Sequence, residues 1–262
     1  VLGMGGFTTG PGGLMAWLLR RPLVIHEQNS VAGLTNRLLA PLADPVLEAF
    51  PGSLRQAQHT GNPVRDSIAG MPFELPCPGD RRARLLVVGG SLGAAALNKQ
   101  VPAALAAMES QYRPEVWHQT GMRLIDEAQT AYRAAGVEVR LDAFIDDMAA
   151  AYQWADLVLC RAGALTVAEL AAVGVASILV PYPHAVDDHQ TANARYLVDA
   201  DAALLLPQSE MDVERLQQSL QLLFEPEKLQ RMAQRARDRS MPDAAQRVAE
   251  YCVAATGYRE AA

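Results

Sequence analysis

The sequence predicts an α/β protein of the doubly wound kind, arranged as two Rossmann-like domains. Three observations carry that expectation. Apolar runs of four or five residues alternate with longer helical stretches along the chain, the pattern of a parallel sheet with crossover helices. Glycine-rich segments follow several of those runs and open helices. A stretch rich in proline and glycine between 61 and 82 (Pro63, Gly70, Pro72, Pro76, Pro78, Gly79) separates two such series.

In the first series the residues predict a glycine loop at 3–13, a helix over 14–20 and a strand over 23–26. A helix over 33–43 and a strand over 46–50 follow. The second series is fuller. It predicts a strand over 84–88, a turn at Gly89-Gly90-Ser91-Leu92-Gly93 and a helix running toward Met108. Next come a strand over 115–118, a helix over 124–135 and a strand over 137–143. Asp146 is expected to cap a short helix to Trp154, before a strand over 157–160. Thr166 is expected to cap the next helix, and Gly174 to stop it. A strand over 177–180, a helix over 188–198, a short strand over 204–206 and helices over 212–224, 227–239 and 243–255 complete the chain. The domains expected are 1–66, a linker at 67–81, and 82–262, with the last helix packing back on the first domain. Three strands in some 65 residues are few for a Rossmann-like domain. The opening Val1-Leu-Gly-Met-Gly-Gly6 reads as a strand end entering a glycine loop, so the first domain is expected to be incomplete.

Composition excludes several classes. With 262 residues, half of them hydrophobic, the chain can bury one large core or two modest ones. A net charge of −6 argues against a nucleic-acid partner. Cys77, Cys160 and Cys252 are widely spaced, which suits a reducing cytosol and excludes a disulfide framework or a zinc cluster. No apolar run approaches the roughly 18 residues of a membrane span.

The most informative segment is Arg161-Ala-Gly-Ala164-Leu165-Thr166-Val167-Ala168-Glu169, where a strand passes through small residues into a helix. Such a junction leaves backbone N–H groups and the positive end of the helix dipole open to an anion. Glu169, one turn in, can accept hydrogen bonds from sugar hydroxyls. Thr166 to Glu169 is equally a capping box, in which Glu169 closes back on the cap amide. Other segments also carry two readings. The turn around Ser91 can hold a phosphate or be a tight strand–helix connection. Ile145 can offer its backbone to a flat base, or staple its side chain onto the helix that follows. His184-Ala-Val-Asp-Asp-His-Gln190 holds two histidines and two aspartates, but Asp188 fits a helix cap better than a metal ligand. Asp199 and Asp201 superficially resemble an Asp-x-Asp metal motif, yet sit at a helix end. The helix over 14–20, with Leu14, Met15, Trp17, Leu18 and Leu19 before Arg20-Arg21, is either core or a membrane-interface anchor.

Eight segments in order then bring a resemblance. They are Gly3-Met-Gly-Gly-Phe7 with Gly10-Pro-Gly-Gly13, His26-Glu-Gln-Asn29, Ala32-Gly-Leu-Thr-Asn36, Gly61-Asn-Pro-Val-Arg65, Val88-Gly-Gly-Ser91-Leu-Gly93, Phe144-Ile-Asp-Asp-Met148, Arg161 to Glu169, and Pro181-Tyr-Pro-His-Ala-Val-Asp-Asp-His-Gln190. Along its whole length the chain resembles the MurG family, the N-acetylglucosaminyltransferases of peptidoglycan synthesis. The resemblance implies a GT-B fold and inverting transfer of GlcNAc from UDP-GlcNAc to lipid I, at the cytoplasmic face of the bacterial inner membrane. It implies uracil on the backbone of Ile145, ribose on Glu169, and diphosphate at Ser91 and the 164–166 turn, within a donor-binding run 164–169. It places GlcNAc near Asn29, Ala164 and Gln190, with Arg65 beside the nucleotide. The expected partners are UDP-GlcNAc, lipid I and an anionic membrane surface met by Trp17, Arg20 and Arg21. No cofactor is required, and a divalent cation would have no evident site. The family pattern opens with a further glycine loop before the segment corresponding to Val1, so a shortened member is expected and no residue is assigned as catalytic base. Two rival readings stand beside this one: another GT-B protein such as a UDP-GlcNAc 2-epimerase, and a nucleotide-sugar-binding half that needs a second chain.

Overall fold

A computed structural model describes residues 1–76, 79, 81–90 and 94–257. The first domain holds β1 (Leu2–Gly3), α1 (Gly6–Leu18), β2 (Val24–Glu27), α2 (Leu34–Leu39), β3 (Val46–Glu48) and β4 (Gln58–His59). Its four strands form one parallel sheet in the order β1-β2-β3-β4. The chain then passes through α3 (Asp66–Ala69) into the second domain. This contains β5 (Arg84–Val88), α4 (Ala95–Ala106), β6 (Glu115–Gln119), α5 (Ile125–Ala135), β7 (Arg140–Asp142), α6 (Met148–Trp154) and β8 (Leu157–Cys160). It continues through α7 (Ala164–Val173), β9 (Ala176–Leu179), α8 (His189–Val198), β10 (Ala203–Leu205), α9 (Val213–Leu223), α10 (Pro226–Arg237) and α11 (Ala244–Ala255).

The six strands of the second domain run parallel in the order β7-β6-β5-β8-β9-β10. That is the doubly wound topology, with its direction switch between β5 and β8. The central strands are apolar on both faces: Leu85, Leu86, Val87, Leu157, Val158 and Leu159 are fully buried. Helices cover each face, as a parallel sheet requires. The second domain thus reproduces the predicted order of elements.

The first domain departs from expectation at its start. Helix α1 begins at Gly6, inside what reads as a loop, in spite of Gly10, Pro11, Gly12 and Gly13. Packing explains Gly13, and likewise Gly3 ahead of the helix. A Cβ on Gly13 would sit 2.6 Å from Leu39 Cδ1 of α2, and one on Gly3 would sit 2.7 Å from Ile25 Cδ1. At these two positions glycine lets a neighbouring side chain approach the backbone closely. Helix α3 is a second departure, since it lies within the proline-rich stretch. Four residues are too few to show a helical period, yet Ile68 is fully buried. At the other end, Val248 of α11 packs with Val24 and Leu47, so the last helix lies on the sheet of the first domain. Among the described residues no helix is long and apolar enough to cross a membrane.

Candidate functional site

The segments that follow β2 and β8 meet where the two domains join, and the chemistry gathers there. Two glutamates first shape the loops of the first domain. Glu27, at the end of β2 and almost fully buried, accepts N–H bonds from Asn29 at 2.9 Å and Gly33 at 3.1 Å, and from Asn36 Nδ2 at 2.8 Å. Glu48, at the end of β3, accepts from Gly52 N–H, Ser53 Oγ–H and Leu54 N–H, each near 3 Å. These carboxylates consume their lone pairs on their own turns and so build the cleft's walls. His26 does likewise. Gln28 Nε2 donates to its Nδ1, and its Nε2 lies 2.9 Å from the Gly61 carbonyl. Burial keeps its pKa below the usual imidazole value.

Asparagines stitch the domains together. Asn193 of α8, fully buried, accepts the Ser30 N–H at 2.8 Å and donates to Asn29 Oδ1 and the Ala162 carbonyl, both at 3.3 Å. Asn62 Nδ2 donates to the Gln28 carbonyl at 3.0 Å and the Ala164 carbonyl at 3.5 Å. Asn29 is therefore linked through Asn193 to the loop that follows β8. Gln190 is three residues before Asn193 on α8, hence on the same helix face. Its Oε1 accepts the Tyr182 N–H at 2.9 Å, which leaves the amide nitrogen as its donor.

Helix α7 starts earlier than the residues suggest. Its N-cap is Gly163, with no side-chain cap, and Thr166 is its third residue. Thr166 is thus not the cap, because Gly163 already has extended backbone (φ −63°, ψ 145°) and starts the helix itself. The capping box fails with it. Glu169 bonds instead to side chains: Oε2 accepts from Tyr152 Oη at 2.9 Å, and Oε1 pairs with Arg65 Nη2 at 3.3 Å across the domain boundary. The first-turn N–H groups of Ala164, Leu165 and Thr166 have no intrahelical acceptor by helix geometry. Val167 is buried and its N–H is spent on Gly163, so it holds the helix to the core. Gly174 ends α7 in the left-handed region (φ 75°), as expected.

Ile145 lies between β7 and α6 with its side chain in the core, beside an exposed Phe144. The side-chain half of the stapling reading holds, and its backbone remains outside strand and helix. The cap of α6 is Asp147, whose Oδ1 accepts from Ala150 N–H, rather than Asp146. Ser91, with its neighbours 92 and 93, lies outside the described residues. Arg161 ties the end of β8 to its neighbours, donating to the carbonyls of Val180 and Pro181 and to Gln208 Oε1. No cluster of three His, Cys, Asp or Glu side chains with metal-site geometry occurs among the described residues. Asp188 receives Thr191 Oγ–H, and Asp201 pairs with Arg235.

Sequence reasoning missed Tyr152 and Asn193. Tyr152 lies on a short alanine-rich helix, where an aromatic residue reads as core. Asn193 carried one usable signal, a polar residue at helical spacing from Gln190.

Fold and cleft together define a protein of GT-B architecture. The profile of the glycosyltransferase family 28 C-terminal domain matches residues 84–248, and that of the family's N-terminal domain matches 1–48. A protein of Alkalilimnicola ehrlichii named UDP-N-acetylglucosamine–N-acetylmuramyl-(pentapeptide) pyrophosphoryl-undecaprenol N-acetylglucosamine transferase is 60 % identical, covering 97 % of this chain and 72 % of its own length. The protein of the same name from Chromohalobacter salexigens is 57 % identical, over 97 % and 71 %. The crystal structure of Acinetobacter baumannii MurG superposes with a TM-score of 0.85 at 44 % identity, over 95 % of this chain and 73 % of that one. UDP-GlcNAc 2-epimerase from Neisseria meningitidis shares the fold alone, with a TM-score of 0.67 at 13 % identity over 97 % and 75 %. The chain belongs to glycosyltransferase family 28, in its MurG branch.

Proposed function

We infer that this hexosyltransferase moves GlcNAc from UDP-GlcNAc to the C4 hydroxyl of the MurNAc unit of lipid I, giving lipid II for peptidoglycan. The observation that carries the reading is Glu169. Its carboxylate is kept off the backbone amides and held in the cleft, one turn after a helix N-terminus that no side chain caps. A diphosphate on that N-terminus puts the ribose hydroxyls within reach of Glu169. The Ile145 backbone then takes uracil, Asn29, Ala164 and Gln190 take the sugar, Arg65 serves beside the nucleotide, and Ser91 is assigned to the diphosphate.

In the reaction the acceptor hydroxyl oxygen bonds to the anomeric carbon and gives up its proton to a base, to which no residue is assigned, while the bond from that carbon to the UDP oxygen breaks. Inversion follows from attack opposite the leaving group. Negative charge grows on the diphosphate, and the preorganised amides of Ala164, Leu165 and Thr166 oppose it. A helix end contributes about 0.3–2 kcal/mol to such an anion. The reading needs no cofactor, because those amides supply the positive potential. The acceptor enters from the first domain, where a cavity of about 1060 Å³ runs from Ser30 and Val31 past Arg37 to Ser53 and Arg55. We further propose that the protein works as a peripheral protein on the cytoplasmic side of the inner membrane, meeting anionic lipid through Trp17, Arg20 and Arg21. In that setting it supports cell-wall growth, shape and division.

Calorimetric titration of the chain tests the donor site. UDP should bind more tightly than ADP or GDP, and Glu169→Gln should weaken UDP about tenfold or more. That loss matches the roughly 1.5–3 kcal/mol of hydrogen bonds to a charged group. The melting temperature should stay unchanged. Equal affinity for the three nucleotides would overturn the reading, and transfer of labelled GlcNAc to a lipid I analogue checks the acceptor.

A further inference from the structure

Glu169 is held by two partners of opposite character. Tyr152 is almost fully buried, and its hydroxyl donates to Oε2 at 2.9 Å. Arg65 is more than half exposed and reaches Oε1 at the longer distance of 3.3 Å. Burial and the neighbouring Glu169 charge push the Tyr152 pKa well above the usual phenol value, so the hydroxyl stays a donor. At this length, with the Arg65 side exposed and flexible, such a pair contributes little. A buried hydroxyl on a packed ring has nowhere else to go. One oxygen of the carboxylate is therefore fixed and the other exchangeable.

We propose that Tyr152 is a positioning residue that sets the preference of this site for ribose over deoxyribose. The proposal rests on Glu169 as the ribose-binding carboxylate. A carboxylate free to rotate about its last bond presents its lone pairs in many directions. Pinned at Oε2, it presents them in one, and a vicinal pair of hydroxyls can take both oxygens only in that orientation. The ribose displaces Arg65 from Oε1, which frees the guanidinium for the diphosphate, while Tyr152 keeps its bond.

The test is the ratio of affinities for UDP and 2′-deoxy-UDP, measured by titration on the whole chain. In the parent protein UDP should bind about tenfold more tightly than its deoxy analogue. Tyr152→Phe keeps the ring and removes one oxygen atom. It should bring the ratio near one and raise KM for UDP-GlcNAc, with kcat little changed. Arg65→Ala should leave the ratio near its parent value, because ribose replaces that contact. If Glu169→Gln abolishes the ratio while Tyr152→Phe preserves it, Tyr152 is packing and the proposal falls, with the ribose reading intact. If Glu169→Gln preserves the ratio, the ribose reading itself fails. A collapse of the urea midpoint in Tyr152→Phe would make the hydroxyl a support of the fold and also overturn the proposal.

Discussion

His118 on β6 is fully buried, with Nδ1 2.9 Å from the Tyr132 hydroxyl. Burial pushes its pKa down to about 3. The unfolded chain protonates this imidazole below about 6.5 while the folded chain does not, so acid favours unfolding across that window. Stability is whole above 6.5 and falls by about 1.4 kcal/mol per pH unit below it, levelling off near 3. Urea titrations at pH 7.5 and 5.0 should therefore differ by about 2 kcal/mol on account of His118, and His118→Gln should flatten that slope. An unchanged slope would show that the charge is accommodated in the fold. At the same scale, Glu169 stood out in the sequence because it follows a glycine-containing strand–helix junction, whereas Arg65 and Asn29 entered only through the family resemblance; the structure pairs Arg65 with Glu169 and Asn29 with Asn193. Tyr152 was hidden because its hydroxyl partner comes from a helix that the chain reaches only after another strand. Thr166 misled for a related reason. A residue suited to capping loses the position when an extended glycine three residues earlier starts the helix.

Among elements, the strands of the second domain were the most readable, and β5 and β8 lie where their apolar runs end. Helix α1 was not readable, since glycine and proline argue for a loop wherever their packing partners are unknown. Helix C-termini give a sharper comparison. Gly136 after α5 and Gly174 after α7 both adopt left-handed backbone, at φ 62° and 75°. A Cβ on Gly136 would meet nothing within 4 Å, whereas one on Gly174 would lie 2.6 Å from Phe73 and 3.0 Å from Arg237 Cβ. Gly136→Ala should thus cost only the left-handed penalty of about 1–2 kcal/mol. Gly174→Ala should cost at least about 1 kcal/mol more, as Phe73 is forced aside. Urea midpoints of the two variants check this, and equal losses would mean that the segment around Phe73 yields freely.

At the scale of the whole molecule, the domains are joined by buried polar bonds and by a shared core. The ring of Phe50 meets Tyr196 edge-on at 5.0 Å, close to where Asn62 and Asn193 bridge the cleft. Such joints fix which face of the first domain lies opposite the donor site. That face leads on to α1, of which only Gly13 and Ala16 are buried. Leu14, Met15, Trp17, Leu18 and Leu19 are all between 45 % and 63 % exposed among the described residues. An apolar helix end with a tryptophan before two arginines is suited to a membrane interface. Indole and aliphatic groups enter the boundary there, and guanidinium groups stay with lipid phosphates. Each basic residue contributes about 1 kcal/mol near an anionic surface. Reversing both charges removes that attraction and adds repulsion, and Trp17→Ala removes the inserted ring. The triple variant Trp17→Ala, Arg20→Glu, Arg21→Glu should fail to sediment with vesicles rich in anionic lipid, while UDP affinity and urea midpoint stay at parent values. Undiminished sedimentation would overturn the role proposed for this helix end, and a lost midpoint would return it to a structural role.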